Sequence, residues 1–427
     1  MRKLLIGLLA VGLVFAFTMP LYAADMSWSG WYRTRAFYFD RDSVLKTDTT
    51  TTSQYYDQIL RVSPKIQIAE GIAVEMRADI MEYTWGTNNA AGAAGVYGTE
   101  GSTKNKDSFN VERAWGSFVT GIGKFSMGTF GDGSWGTGFC DLGTSAQKIQ
   151  YESQFGPVGV LAIVQKAVEG DKATNEADDD YDVYKLGLGY SWDGGEAGVL
   201  GVYAKDDTNA AYKEESQLLV PYVKANFGPL YVEAEIDKYF GTDKDYYAAG
   251  TADVDKSGLS YYAMAKVNLG PAYVGAMYAY VQGDDPATTT DDESGKTGAD
   301  WNPSNYLWND GGSGRIGGAD FGAYTDATNS NLQVGGKVYS IFAGFSPIEK
   351  LSLYTALVTS YADRQGSALH DDFGLEWDFN ASYKLFDSVS YNLYFGYLWA
   401  GDYWKGTSTA TQLEDTYMIR HEIKWVF

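Results

Sequence analysis

The last eleven residues alternate in chemical kind, and that alternation constrains the whole fold. Tyr417, Ile419, Ile423, Trp425 and Phe427 share one parity, with His421 the one polar intruder; Arg420, Glu422 and Lys424 share the other. A β-strand turns successive side chains to opposite faces, so one face here is apolar and aromatic and the other is charged. A tilted strand of about 9–11 residues crosses the hydrocarbon of a bilayer. Apolar outside and charged inside is the pattern of a transmembrane β-barrel wall, whose inner face meets water. The reading stands only if the rest of the chain repeats the pattern.

It does. Near the start, Tyr32, Thr34, Ala36 and Tyr38 oppose Arg33 and Arg35. Leu60, Val62, Pro64, Ile66 and Ile68 oppose Asp57, Arg61, Lys65 and Gln67; Ile72, Val74, Met76, Ala78 and Ile80 oppose Glu75, Arg77 and Asp79. Late in the chain, Phe373, Leu375, Trp377, Phe379 and Ala381 oppose Glu376, Asp378 and Asn380. Reversals of two kinds separate the strands. Short ones recur at Ser346–Lys350 and at Phe155-Gly156-Pro157, Phe227-Gly228-Pro229 and Leu269-Gly270-Pro271, in the last three of which Gly accepts positive φ and Pro presets a turn. Longer polar stretches, among them 86–108, 131–146, 168–181 and 283–331, alternate strictly with them, as periplasmic turns alternate with extracellular loops. The expected fold is an all-β transmembrane antiparallel barrel of 18 strands. Strands 9 (196–205) and 14 (332–345) alternate poorly, which leaves 16 as the other count. Either size encloses an aqueous channel.

Residues 1–24 read as a secretory signal peptide: Arg2 and Lys3, an apolar run from Leu4 to Phe17, then Pro20, Ala23 and Ala24. Residues 25–427 form the barrel. Cys140 is the only cysteine, which excludes an intramolecular disulfide framework and a CxxCH haem site. The formal charge of −22 becomes −24 once the two basic leader residues are removed, so nucleic acid is excluded as a partner. Enzyme chemistry has little to stand on. His421 lies on the lipid-facing parity and His370 in a loop, neither beside a placed nucleophile. No cofactor and no metal centre is implied. The acidic runs Asp178-Asp179-Asp180 with Asp182, and Asp284-Asp285 with Asp291-Asp292-Glu293, lack the spacing and glycine of an EF-hand. They read as solvated outer surface, with weak calcium or magnesium bridging to lipopolysaccharide as the alternative.

The segment Met26-Ser27-Trp28-Ser29-Gly30-Trp31-Tyr32-Arg33-Thr34-Arg35 resembles the first strand of porins from sulfate- and metal-reducing deltaproteobacteria. Phe118 to Gly138, with Gly128-Thr129-Phe130 and Trp135-Gly136, resembles the strand that leads into the third loop of many bacterial porins. The terminal aromatics Trp425 and Phe427 resemble the C-terminal signal read by the barrel-assembly machinery. The resemblance implies a Gram-negative outer-membrane location, contact with lipid and lipopolysaccharide, passive diffusion of small hydrophilic solutes, and often a trimer. Two rivals are a substrate-specific channel for oligosaccharide or carboxylate, and a barrel that sheathes an electron-transfer cytochrome.

Strands 1 to 5 gather the inward basic residues Arg33, Arg35, Arg61, Lys65, Arg77, Arg113 and Lys124. Loop 131–146 carries Asp132 and Asp141 and no Lys or Arg before Lys148. In porins this loop often folds into the lumen. If it does so here, a basic wall faces an acidic loop at a constriction and the transverse field filters solutes. Alternatively the arginines pair with Asp57, Glu75, Asp79 and Glu112 and brace the wall. The longest loop, 283–331, carries Trp301, Tyr306, Trp308, Phe321 and Tyr324, which could line a sugar-binding path or fold inward as a lid, and are expected first to pack the loop against itself.

Overall fold

The computed structural model describes residues 25–41, 43–46, 52–86, 109–133, 135–140, 145–170, 180–208, 212–244, 252–298, 301–305, 307–308 and 333–427, and the statements below concern those residues. The leader, 1–24, and Asp141 lie outside them, as do Tyr306, Phe321 and Tyr324.

Eighteen long strands form the wall: β1 (Asp25–Phe39), β2 (Ser53–Ala69), β3 (Ile72–Thr84), β4 (Phe109–Thr120), β5 (Gly123–Gly131), β6 (Ser145–Phe155), β7 (Val158–Val168), β8 (Tyr181–Trp192), β9 (Gly195–Asp206), β10 (Lys213–Phe227), β11 (Leu230–Lys244), β13 (Leu259–Leu269), β14 (Ala272–Val281), β16 (Gly336–Ile348), β17 (Leu351–Tyr361), β18 (Asp372–Phe386), β19 (Val389–Ala400) and β20 (Thr416–Val426). Two short pieces, β12 (Val254–Lys256) and β15 (Asp291–Asp292), pair with each other in parallel, and β12 also extends β11. Each wall strand runs antiparallel to the next, and β1 pairs with β20 from Trp31↔Val426 to Phe39↔Met418, so the sheet closes. Closure leaves no unpaired edge, the condition for a sheet in lipid.

The outer face is apolar and carries two aromatic belts. Phe155, Trp192, Phe227, Phe345, Phe386 and Phe427 are exposed near the short-turn end; Tyr184, Tyr203, Tyr339, Trp377 and Trp399 are exposed near the long-loop end. The chain terminus is tied in: Phe427 and Gly30 exchange two backbone hydrogen bonds of 3.1 and 2.9 Å. A Cβ on Gly30 would lie 2.9 Å from the Phe427 ring, so that glycine seats the last aromatic. Trp425 stacks beside Tyr32 on the outer face, with ring centroids 5.3 Å apart.

The structure settles the count at 18 and explains why β9 and β16 alternate weakly. Leu200 and Ala204 of β9, and Val338 and Ser340 of β16, point inward and are buried because loop segments inside the barrel cover them. Two assignments change. The reversal expected at Ser346–Lys350 shrinks to Glu349-Lys350, since β16 continues through Pro347; the register slips there, so the missing proline N–H breaks no ladder bond. Phe373, expected on the outer face, is fully buried inside. The β17–β18 register shifts between Ser360 and Tyr361, and Gly374 (φ +124°) absorbs the change of parity.

Candidate channel constriction

Two loop segments enter the barrel, and wall carboxylates hold each by its backbone. Residues 131–133 and 135–140 leave β5, descend into the lumen and lie against β7 to β11. Glu235 on β11 accepts the Thr137 N–H at 2.7 Å and the Cys140 N–H at 2.6 Å. Trp135 packs on Leu161 and meets Tyr222 edge-on, centroids 5.7 Å apart. The indole fits because Gly187 and Gly198 lack side chains: a Cβ at either would come within 2.6 and 3.1 Å of it. Gly136 turns the loop at φ +70°, and a Cβ there would lie 2.9 Å from Tyr222 and collide with Glu235.

Residues 301–305 with 307 and 308 do the same against β17 to β19. Glu376 accepts the Leu307 N–H at 2.7 Å, Asp378 accepts the Asn305 N–H at 3.3 Å, and Trp308 donates its indole N–H to Ser360 at 2.8 Å. Gly396 leaves space for the carboxylates of Glu376 and Asp378 and for Asn305. The expectation that the long loop packs on itself is therefore corrected: Leu307 and Trp308 are buried against the wall residues Val338, Ala356, Val358 and Phe373. The two insertions also touch. Gly298 donates its N–H to the Phe139 carbonyl at 2.7 Å, and Trp301 meets Phe139 edge-on at 5.1 Å.

With those walls covered, the lumen-facing surface of β20 and β1 to β5 carries the basic residues. Arg35 makes a buried bidentate pair with Asp57, the shortest contact 2.6 Å. Arg61 binds Asp79 through both nitrogens at 2.7 Å and reaches Glu112 at 3.4 Å. Arg77 also binds Glu112, its Nε at 3.0 Å. Lys65 lies 3.5 Å from Glu75, and Lys124 3.6 Å from Glu152. Glu112 can face Arg61 and Arg77 while Arg113 also points in, because the β3–β4 register slips between Arg77 and Ala78. Arg113 donates to Ser145 Oγ at 2.8 Å and, with Lys424, makes no ion pair among the described residues. Sequence reasoning passed over Trp31. Its ring gathers the cations of Arg33, Arg61 and Lys424 at 5.0, 5.0 and 5.1 Å.

Asp132 does not face the arginines. It is buried between Lys148 of β6 and Lys185 of β8 and pairs with both. The local signal was present but easy to overlook: Lys148 and Lys185 are the lone inward cations of β6 and β8. Two groups of side chains could hold a metal. In Asp79, Glu82 and Glu112, two of the three already serve Arg61 and Arg77; the other group is Cys140, Glu235 and Asp237.

No protein-family model and no curated protein matches the chain. Solved structures do. OccAB2 of Acinetobacter baumannii aligns over 94% of this chain and 98% of its own, with a TM-score of 0.55 at 14% identity. OccK9 (OpdG) of Pseudomonas aeruginosa aligns over the same shares with a TM-score of 0.56 at 13% identity. OccK2 (OpdF) of the same organism gives 0.54 at 11%. The fold is that of the outer-membrane porins.

Proposed function

We propose that this barrel is a passive channel of the bacterial outer membrane for small hydrophilic solutes and ions. One observation carries the reading. Both described insertions lean on one side of the barrel, β7 to β11 and β13 to β19, and leave the basic strip of β20 and β1 to β5 as the wall of the solute path. Arg61, Arg77, Lys65 and Lys124 keep 20, 21, 46 and 44% of their side-chain surface exposed, as residues along a wet path would. Most of the strip is a ladder of ion pairs, which braces the wall. Arg113 and Lys424 add positive charge that no acid among the described residues pairs with. The filter is then a basic strip facing neutral loop backbone, rather than a basic wall facing an acidic loop.

The basic strip favours a second reading, a channel selective for small carboxylates. A lumen without an inserted loop would have favoured the cytochrome sheath, and the two described insertions give it no such support. The finer likeness to deltaproteobacterial porins rests on the Ser29-Gly30 and Arg33-x-Arg35 pattern of the first strand. Planar-bilayer recording of the purified protein tests these readings. A stable open conductance supports the passive channel. Saturable block by a small dicarboxylate selects the carboxylate reading. A barrel that never conducts defeats both.

A further inference from the structure

The joint between the first insertion and the wall holds chemistry that the channel does not use. Cys140, at the foot of the inserted segment, is 1% exposed; Glu235 and Asp237, two residues apart on β11, are 1% and 0% exposed. Their sulfur and carboxylate oxygens lie within 4.8 Å of one another. The surroundings are apolar: Leu200, Leu218 and Val220 pack on Cys140. The backbone hydrogen bonds from Thr137 and Cys140 hold Glu235 in place. Asp237 is different. The Cys140 thiol is the one donor beside its carboxylate, at poor geometry, and the fully buried hydroxyl of Ser260, its cross-strand neighbour on β13, has no hydrogen-bond partner among the described residues. An acid buried among aliphatic side chains with only a thiol, a weak donor, beside it is costly, and proteins retain such groups when a cation or a bound molecule completes them.

We propose that Cys140, Glu235 and Asp237 bind a single divalent transition-metal ion of borderline softness, zinc(II) fitting best, at this joint. One thiolate with two carboxylates is a donor set that zinc, cobalt(II) or iron(II) accepts, whereas calcium and magnesium take oxygen alone. Zinc–sulfur and zinc–oxygen bonds of about 2.3 and 2.0–2.2 Å require the donors to close in by about 1 Å, within reach of side-chain rotation. The thiol gives its proton to water as the metal binds. The bound ion would pin the inserted segment to β11 through Cys140, on the side away from the basic strip. The site does not depend on what the channel carries.

The folded full-length barrel, stripped with EDTA, is dialysed against zinc chloride with excess magnesium to occupy the acidic loops. Metal content is then read by mass spectrometry. The proposal expects one tightly held zinc per chain. Cys140→Ala and Asp237→Asn should each weaken it by at least the ~10–100-fold that even outer-shell changes cost. Heat-modifiable migration on gels verifies that both variants fold. Cobalt(II) added to the unaltered protein should give a near-ultraviolet sulfur-to-cobalt band, a reading that needs no variant. The proposal is overturned if the unaltered chain retains no stoichiometric zinc and shows no cobalt band. It is equally overturned if both variants hold as much zinc as the native chain, the metal then belonging to the loops.

Discussion

Glu376 reaches from the inner face of β18 to the backbone N–H of Leu307, 69 positions earlier in the chain, at 2.7 Å. Glu235 does the same for the other insertion, and each glutamate is followed two residues later by an inward aspartate. The barrel thus grips two lumenal segments by their main chains, so the grip tolerates any side chain on the loop except where a glycine makes room.

Glu376→Ala should release the 301–308 segment while leaving the wall intact. A charged acceptor for a buried N–H contributes about 1.5–3 kcal/mol, all of it to docking of the loop. The expected result is a larger and noisier single-channel current with an unchanged unfolding midpoint in denaturant. Unaltered conductance and noise would show that the carboxylate does not hold the loop.

Arg35→Ala should cost about 3–5 kcal/mol of wall stability, because it strands a buried Asp57 whose side chain is only 5% exposed. The double change Arg35→Met with Asp57→Leu should recover most of that loss, since it removes both charges. Urea unfolding of the folded barrel in detergent measures both. A double variant as weak as the single would mean that the pair contributes shape rather than charge balance.

Asp284, in the loop beyond β14, has its carboxyl pushed up to about 6 from 3.8, first by burial and then by the charges of Asp292 and Glu293. A raised value in the folded loop means that the folded form binds the proton more tightly than the released form. Loop closure is therefore strongest below about pH 4 and weakens as pH rises through 6. Amide exchange across 283–298 should be slower at pH 5 than at pH 7.5 after correction for intrinsic rate. Asp284→Asn should remove the difference. A difference that survives the substitution would assign the titration elsewhere.

The wall was legible in sequence because lipid and water impose opposite demands on alternate residues, and nothing else asks a strand to carry Arg61 and Leu60 side by side. The insertions blurred it where they lie. Leu200, Leu218 and Val220 face inward yet look like core, so β9 lost its alternation; read the other way, such apolar inward runs announce a cover. Phe373 changed face because a register shift at Gly374 leaves no trace in periodicity. The ion-pair ladder was foreseeable from Asp57, Asp79 and Glu112 at matching depths, whereas the grip of Glu235 and Glu376 was not. Each looks like any inward acid until the loop that it holds is placed. Asp132 could be assigned to a loop but not to Lys148 and Lys185, because periodicity does not say which way a loop folds after it leaves the wall.

The central claim is that solutes pass along the basic strip of β20 and β1 to β5. The zero-current potential across a salt gradient, measured in planar bilayers for the native channel and for Arg113→Ala with Lys424→Ala, tests it most directly. These two cations make no ion pair among the described residues, so their loss removes positive charge from the path and strands no acid. The account predicts a shift toward cation preference, larger at low salt where the Debye length is about 30 Å than at 1 M where it is about 3 Å. A double variant that conducts with the native zero-current potential would place the path elsewhere and contradict the account.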